Sequence, residues 1–260
     1  MEPGLDRAAL ELARIEYPDL DIEPFIGLLD SYAVELSARL GGRTGGIEYV
    51  DAANRYLFGD LGFTGNTAHY YDPRNSCLND VLTARTGIPI TLAVVYLEIA
   101  RRLARPVYGI GLPGHFLVQY RDGDFAAFID VFNAGRLLRA DACFDLARQS
   151  TGAPLSDDPR MLAPVSQRQI VTRMLHNLRA AYFERQAYGK ALQTLNLLVA
   201  ADPRAAEEYK LRGMVHLQMR HSAAARSDLE TYLQLATGAE DREEIEQRLR
   251  ALRGYQARLN

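Results

Sequence analysis

Arg85-Thr86-Gly87-Ile88-Pro89-Ile90-Thr91-Leu92-Ala93-Val94-Val95-Tyr96-Leu97-Glu98-Ile99-Ala100-Arg101-Arg102-Leu103 is the stretch on which the fold turns. Thr86-Gly87 ends the segment before it, and Pro89, well tolerated in a first turn, opens a helix. From Pro89 to Leu103 that helix is apolar on nearly every side until Glu98. A helix apolar all round belongs at the centre of a domain.

C-terminal to this helix the pattern changes to period two. Val107 to Gly111, His115 to Arg121 and Phe125 to Val131 read as strands, with turns at Pro113-Gly114 and Asp122-Gly123. A short fourth strand is expected over Arg136 to Leu138. On the N-terminal side, residues 5–60 read mostly as helix. Leu10, Leu12, Ala13 and Ile15 form one apolar set; Phe25, Leu28, Leu29, Tyr32, Leu36 and Leu40 form another. Gly59 to Arg74 reads as a loop, and a helix follows from about Ser76, capped by Asn75 or Ser76.

Residues 151–164 are rich in Ser, Asp, Pro and Gly and read as a linker between a domain over 1–150 and a helical tail over 165–260. The tail repeats. Tyr182 and His216, Ala191 and Ala225, and Leu195 and Leu229 are each 34 residues apart, the tetratricopeptide period. Gly213 fills the small-residue position of the second repeat, where the first has Arg179. A charged helix over Glu240 to Leu259 is placed to cap the array. Two such hairpins each leave an apolar face open, so the tail is expected to pack on that helix and on the core domain.

With 48% apolar and 24% charged residues over 260 positions, the chain has a globular composition. Its net charge of -3 names neither nucleic acid nor an anionic membrane as partner. Met1 to Asp6 carries no secretory signal, and the longest apolar run is too short for a bilayer. Two distant cysteines, Cys77 and Cys143, fit a reducing cytoplasm better than a disulfide scaffold. They and five scattered histidines show no metal-ligand spacing, so no metal or cofactor is expected.

One constellation could carry chemistry. A two-residue turn centred on Asp122-Gly123 would pair Arg121 with Asp124 and so set His115 opposite Asp130. Facing β-carbons lie roughly 5 Å apart, close enough for an oriented imidazole–carboxylate pair. Such a pair suits a general base, and equally a brace across a sheet. The nucleophile it would serve belongs at a helix N-terminus, where the dipole favours a thiolate. The helix from Pro89 offers Pro89, Ile90 and Thr91, and no cysteine.

Arg74-Asn75-Ser76, Leu78-Asn79-Asp80-Val81-Leu82, Gly87-Ile88-Pro89-Ile90-Thr91 and Pro113-Gly114-His115-Phe116 resemble the Sir-B-type family of bacterial transglutaminase-like proteins with tetratricopeptide tails; a eukaryotic F-box protein shares this core. The resemblance implies an α+β fold. A helical N-terminal region leads into a transglutaminase-like (papain-like) core with an antiparallel sheet, and an all-α tail follows. In active members a Cys opens the central helix, a His lies on the next strand and an Asp on the one after. Aligned through Ala93 and Arg101, this chain has Pro89 in the Cys position, with His115 and Asp130 matching the other two. It departs again at Val131, where the family has Pro, and at Ala134, where it has Gly.

The substitute nucleophiles are weaker. Cys77 reads as a small buried hydrophobe, Thr91 as a cap or packed β-branched residue, and Cys143 has no visible partner. The expected function is a non-catalytic, regulatory module that binds a protein or peptide through its core cleft and its tail. The alternative is a hydrolase or acyltransferase using Cys77 with His115 and Asp130. Tyr70, Tyr71, Asn75, Asn79, Pro89 and Thr91 are expected to line the cleft.

Overall fold

The computed structural model describes residues 4–123 and 125–256. The chain forms two compact units, one running to Met174 and one from Leu175. Among the described residues, no helix is long and apolar enough to cross a membrane.

The first unit is built around the helix that the sequence singles out. In chain order it contains α1 (Leu5–Ala13), α2 (Glu23–Leu40), α3 (Gly46–Asn54), β1 (Thr64–Gly65), α4 (Leu78–Ala84), β2 (Thr86–Gly87) and α5 (Pro89–Arg102). Then come β3 (Val107–Ile110), β4 (Leu117–Arg121), β5 (Ala126–Asp130), β6 (Arg136–Leu138) and α6 (Ala140–Thr151). α5 is buried from Pro89 through Tyr96 and again over Glu98 to Ala100. Helices α1, α2 and α4 and strands β3 and β4 pack around it. Glu98 enters this interior because Arg102 meets its carboxylate at 2.8 Å and bonds Asp6 of α1 at 2.6 Å.

Strands β3 to β6 form one antiparallel sheet in sequence order. The β4–β5 register differs from the expectation by two residues. Arg121 pairs with Ala126 and Val118 with Ile129. Asp122 and Phe125 close the turn: Asp122 N–H donates to the Phe125 carbonyl at 3.1 Å, and Phe125 N–H donates to Asp122 Oδ1 at 2.8 Å. The Asp122 side chain thus holds the residue at the edge of the turn rather than at its centre. Asp124, the partner expected for Arg121, lies outside the described residues. A slip of two keeps every side chain on its face, so the His115 and Asp130 faces are unchanged.

Three other local expectations are corrected. The N-cap of α4 falls one to two residues after the expected caps: Asn75 and Ser76 lie in a 3-10 turn, Pro73–Ser76, and Cys77 is the N-cap. A two-residue parallel pairing joins Thr64-Gly65 to Thr86-Gly87, a contact too short to leave a sequence pattern. The stretch 151–164, expected as a linker, is held on the sheet. Met161 and Leu162 pack on the cluster of Ile110, Leu112, Leu117 and Cys143. Pro164 bridges Ile110, and Val165 N–H donates to the Gly109 carbonyl at 2.9 Å. The division between units falls later, inside α7 (Gln167–Glu184).

The second unit continues through α8 (Tyr188–Ala201), α9 (Ala206–Gln218), α10 (Ser222–Leu235) and α11 (Arg242–Gln256). Residues 257–259 of the expected last helix lie outside the described residues. Tyr182, Ala191, Leu195, Ala225 and Leu229 are buried; Phe183 and Leu217 are half-buried. A Cβ on Gly213 would meet Leu229 Cγ at 2.9 Å, which explains the small residue there. At the matching position Arg179 instead pairs with the buried Glu208, which His176 also approaches at 3.4 Å. α11 covers the second hairpin, with Ile245 and Leu249 against Leu229 and Tyr232.

Candidate functional site

The site grows from two turns at the ends of strands. Before β4, His115 N–H donates to the Leu112 carbonyl at 3.2 Å, closing a turn with Pro113 and Gly114 at its centre. Gly114 has φ +70°, the conformation that suits glycine at the second central position. After β5, Asp130 caps a 3-10 turn over Val131–Asn133. Its Oδ2 accepts from Asn133 Nδ2 at 2.7 Å, and its Oδ1 from Asn133 N–H at 3.4 Å. Ala134 then takes φ +54° and Gly135 φ +74°. The departure from Gly at 134 therefore leaves the loop in a left-handed shape that costs an alanine roughly 1–2 kcal/mol.

These turns bring His115 and Asp130 together. His115 Nε2 lies 2.9 Å from Asp130 Oδ1, with Asp130 fully shielded and His115 7% exposed. Burial pushes the Asp130 carboxyl up, but the bonds from His115 and Asn133 outweigh it and hold the carboxyl below the usual range. An ionised Asp130 can only accept, so Nε2 carries a proton, and in the neutral imidazole Nδ1 is the acceptor. The described residues give Nδ1 no hydrogen-bond partner. This is the tautomer and orientation of a general base.

The start of α5 is arranged differently. Ile88 is extended, Pro89 occupies the first turn, and no thiol or amine occurs from Gly87 to Leu92. Thr91 Oγ1 lies 2.7 Å from the Asn75 carbonyl and accepts from Ile88 N–H at 3.2 Å. It is fully shielded and its hydroxyl is committed. Asn75 is a buried anchor rather than a cleft wall. Its Nδ2 donates to the carbonyls of His69 and Tyr70 at 2.6 and 3.1 Å, and its Oδ1 accepts from Asn66 Nδ2 at 3.0 Å. That network pins the loop carrying Tyr70 and Tyr71, which are exposed. Asn79 is buried on α4, its side-chain oxygen without a hydrogen bond.

Neither cysteine is open. Cys77 has 0% exposure between the buried Ser76 and Leu78. Cys143 is likewise shielded, its thiol pushed up to about 12 by burial and then by Asp130 and Asp141. Such a thiol stays protonated and inert.

Two residues of the site lie outside the sequence expectations. Phe132 stands edge-on to His115 at 5.9 Å and to Tyr70 at 6.2 Å. It fits because β1 has Gly65, where a Cβ would come within 2.5 Å of the Phe132 ring. Arg173 donates to the main-chain oxygen of His115 at 2.7 Å. A Phe132 preceding a glycine-like turn was the one available hint; for Arg173, 58 residues beyond His115, there was none. Among the described residues no group of three or more His, Cys, Asp or Glu could hold a metal ion.

Known proteins give this geometry a context. Residues 24–176 match the transglutaminase-like superfamily model, and residues 178–250 a tetratricopeptide repeat model. A UPF0162 protein of Xylella fastidiosa strain 9a5c is 40% identical over 230 residues, covering 87% of this chain and 82% of that one. UPF0162 protein PA3419 of Pseudomonas aeruginosa is 28% identical over 95% of this chain and 90% of its own length. Human F-box only protein 21 is 34% identical over 139 residues, half of this chain and 21% of that protein. A crystal structure of menin aligns over 94% of this chain and 69% of that one with a TM-score of 0.41 and 13% identity. The chain belongs to the transglutaminase-like superfamily, in the company of the UPF0162 proteins, with tetratricopeptide repeats after its core.

Proposed function

We propose that this protein is a non-catalytic, regulatory member of its superfamily, a cytoplasmic module that binds protein or peptide partners through the cleft at His115 and through its repeats. The finer Sir-B-type placement rests on the Gly-Ile-Pro-Ile-Thr and Pro-Gly-His-Phe blocks. One observation carries the functional reading. The His–Asp pair is oriented as a base, yet the helix start that would supply its nucleophile holds Pro89, which has no thiol, hydroxyl or amine. Thr91 is spent on capping, and both cysteines are fully shielded. Tetratricopeptide arrays present concave surfaces suited to partner segments, and the matched repeats extend over residues 178–250.

The test is incubation of the full chain with a glutamine-donor peptide and a fluorescent amine, alongside thioester and peptide substrates. No incorporation and no hydrolysis above the buffer rate is expected. Turnover that Cys77→Ala abolishes would make the protein a cysteine enzyme and end this reading.

A further inference from the structure

Arg173 is a half-buried cation with no acid beside it. Its Nη2 is bonded to the His115 carbonyl at 2.7 Å, and its guanidinium lies over the Phe116 ring at 5.5 Å. Among the described residues no Asp or Glu forms an ion pair with it. Three other half-buried arginines are paired with acids: Arg102 meets Asp6 and Glu98, Arg179 meets Glu208, and Arg212 grips Asp228; Arg105 is held by the carbonyls of Arg43 and Thr44. A guanidinium has five N–H donors, and those of Arg173 that lack a protein partner are not sealed from solvent. Asp130, across the site, does not neutralise it. Asp130 is fully shielded, and its oxygens are taken by His115 and Asn133.

The surroundings of this cation are aromatic. The link to these rings runs through His115, whose carbonyl Arg173 bonds at 2.7 Å and whose ring meets Phe132. Tyr70 stands edge-on to Tyr71 at 5.4 Å and to Phe132, which in turn stands edge-on to His115. Tyr71 is 64% exposed. His115 thus joins the cation to these rings: its carbonyl takes Arg173, and its imidazole meets Phe132, which leads on to Tyr70 and Tyr71.

We propose that this patch is a carboxylate-binding site, in which Arg173 takes the carboxylate of a polypeptide ligand while Tyr70 and Tyr71 cover the neighbouring chain. The proposal rests on the reading of the His115 cleft as a binding surface. The planar guanidinium fork matches a carboxylate in two parallel hydrogen bonds. A partly desolvated charge gains most from a partner that arrives with its own charge. Tyr rings add apolar cover at little entropic cost. An acidic side chain and a chain terminus offer the same carboxylate. The opposing view is that Arg173 only braces the His115 main chain and covers Phe116.

The experiment is an NMR titration of the full chain in 150 mM salt, following the His115 imidazole and the Tyr70 ring. Three probes are compared: acetyl-Ala-Glu-Ala-amide, acetyl-Ala-Ala-Ala with a free carboxylate, and acetyl-Ala-Gln-Ala-amide. At least one carboxylate peptide should bind about tenfold more tightly than the glutamine peptide, as a hydrogen bond to a charged group allows. The ratio of the two acids names the source. Arg173→Gln should erase the preference, and Arg173→Lys, which keeps the charge and places less demand on the fold, should retain part of it. A glutamine peptide that binds as well as the acids overturns the carboxylate site and leaves the binding module standing. No shift with any probe overturns the site and removes this cleft from the module as well. An acid preference unchanged in both variants assigns Arg173 the bracing role alone.

Discussion

At the start of α5, every polar group seen is answered from within the chain: Thr91 serves Ile88 and Asn75, and Asn75 serves the loop of Tyr70. At the end of β5, Asp130 is answered as fully by His115 and Asn133, but His115 is not, because Nδ1 has no partner among the described residues. Both regions are buried. One has been closed with a proline and a cap, and the other keeps its base in working orientation. On the reading proposed above, an imidazole–carboxylate pair is kept for structure where no nucleophile faces it. Asp130 ties the end of β5 to the turn before β4, and that bond stabilises both turns whether or not a thiol faces them.

The comparison predicts unequal costs of mutation. Asp130→Ala strips the partner from a shielded His115 and from Asn133, and loss of one member of a buried pair costs about 3 kcal/mol or more. Urea unfolding should show it. A loss under about 1 kcal/mol would mean that the pair braces nothing and that its retention needs a catalytic explanation. Thr91→Val keeps the shape at the start of α5 but leaves the Asn75 carbonyl unbonded, which costs about 1–3 kcal/mol. A neutral result there would mean that the helix start is less firmly closed than its hydrogen bonds indicate.

A smaller effect appears with pH. The Asp130 carboxyl is held below its ordinary value of about 3.9, so the unfolded chain takes up this proton first. Its contribution is fully present above about pH 4 and is lost as pH falls through the folded value. The stability margin of the wild type over Asp130→Asn should therefore be level near pH 5 and shrink toward about pH 2.5. Other carboxylates are common to both proteins and cancel. A margin that grows on acidification would show that burial, not the bonds from His115 and Asn133, dominates this carboxyl.

How legible each region was in the sequence follows from how local its causes are. α5 could be read directly, since an unbroken apolar helix after Gly-Ile-Pro has one physical home. The His115–Asp130 pair was reached through a wrong register. The Asp-Gly pattern puts Asp122 at the centre of the turn, whereas its side chain holds the Phe125 N–H and makes it the turn's edge. The two-residue error left the faces intact, which is why the pair survived it. Phe132, Arg173 and the Asp6–Arg102–Glu98 cluster were illegible because each depends on segments far apart in the chain. Arg173 also hides behind the stretch 151–164, whose loop-like composition concealed a segment clamped to β3 and its neighbours.

Pro89→Cys should change stability least and sharpen the comparison most. Removing a proline from a compatible first turn gives the unfolded chain more freedom, a loss of about 0.4–1 kcal/mol. The new thiol gains a helix N-terminus, which favours its thiolate. If it also gains the free Nδ1 of His115, a thiolate–imidazolium pair forms, and iodoacetamide should alkylate it near pH 6.5 with a rate about tenfold above an ordinary exposed thiol. Cys77 and Cys143 give a low background, as both have 0% exposure and the Cys143 thiol is pushed up to about 12. A second change, His115→Gln, isolates the imidazole: the extra reactivity should vanish while the helix effect remains. Equal alkylation rates with and without His115 would mean that the start of α5 and the end of β5 do not face a common space. The alignment of Pro89 with the nucleophile would then be wrong, and the argument for lost catalysis would have to be rebuilt from Cys77.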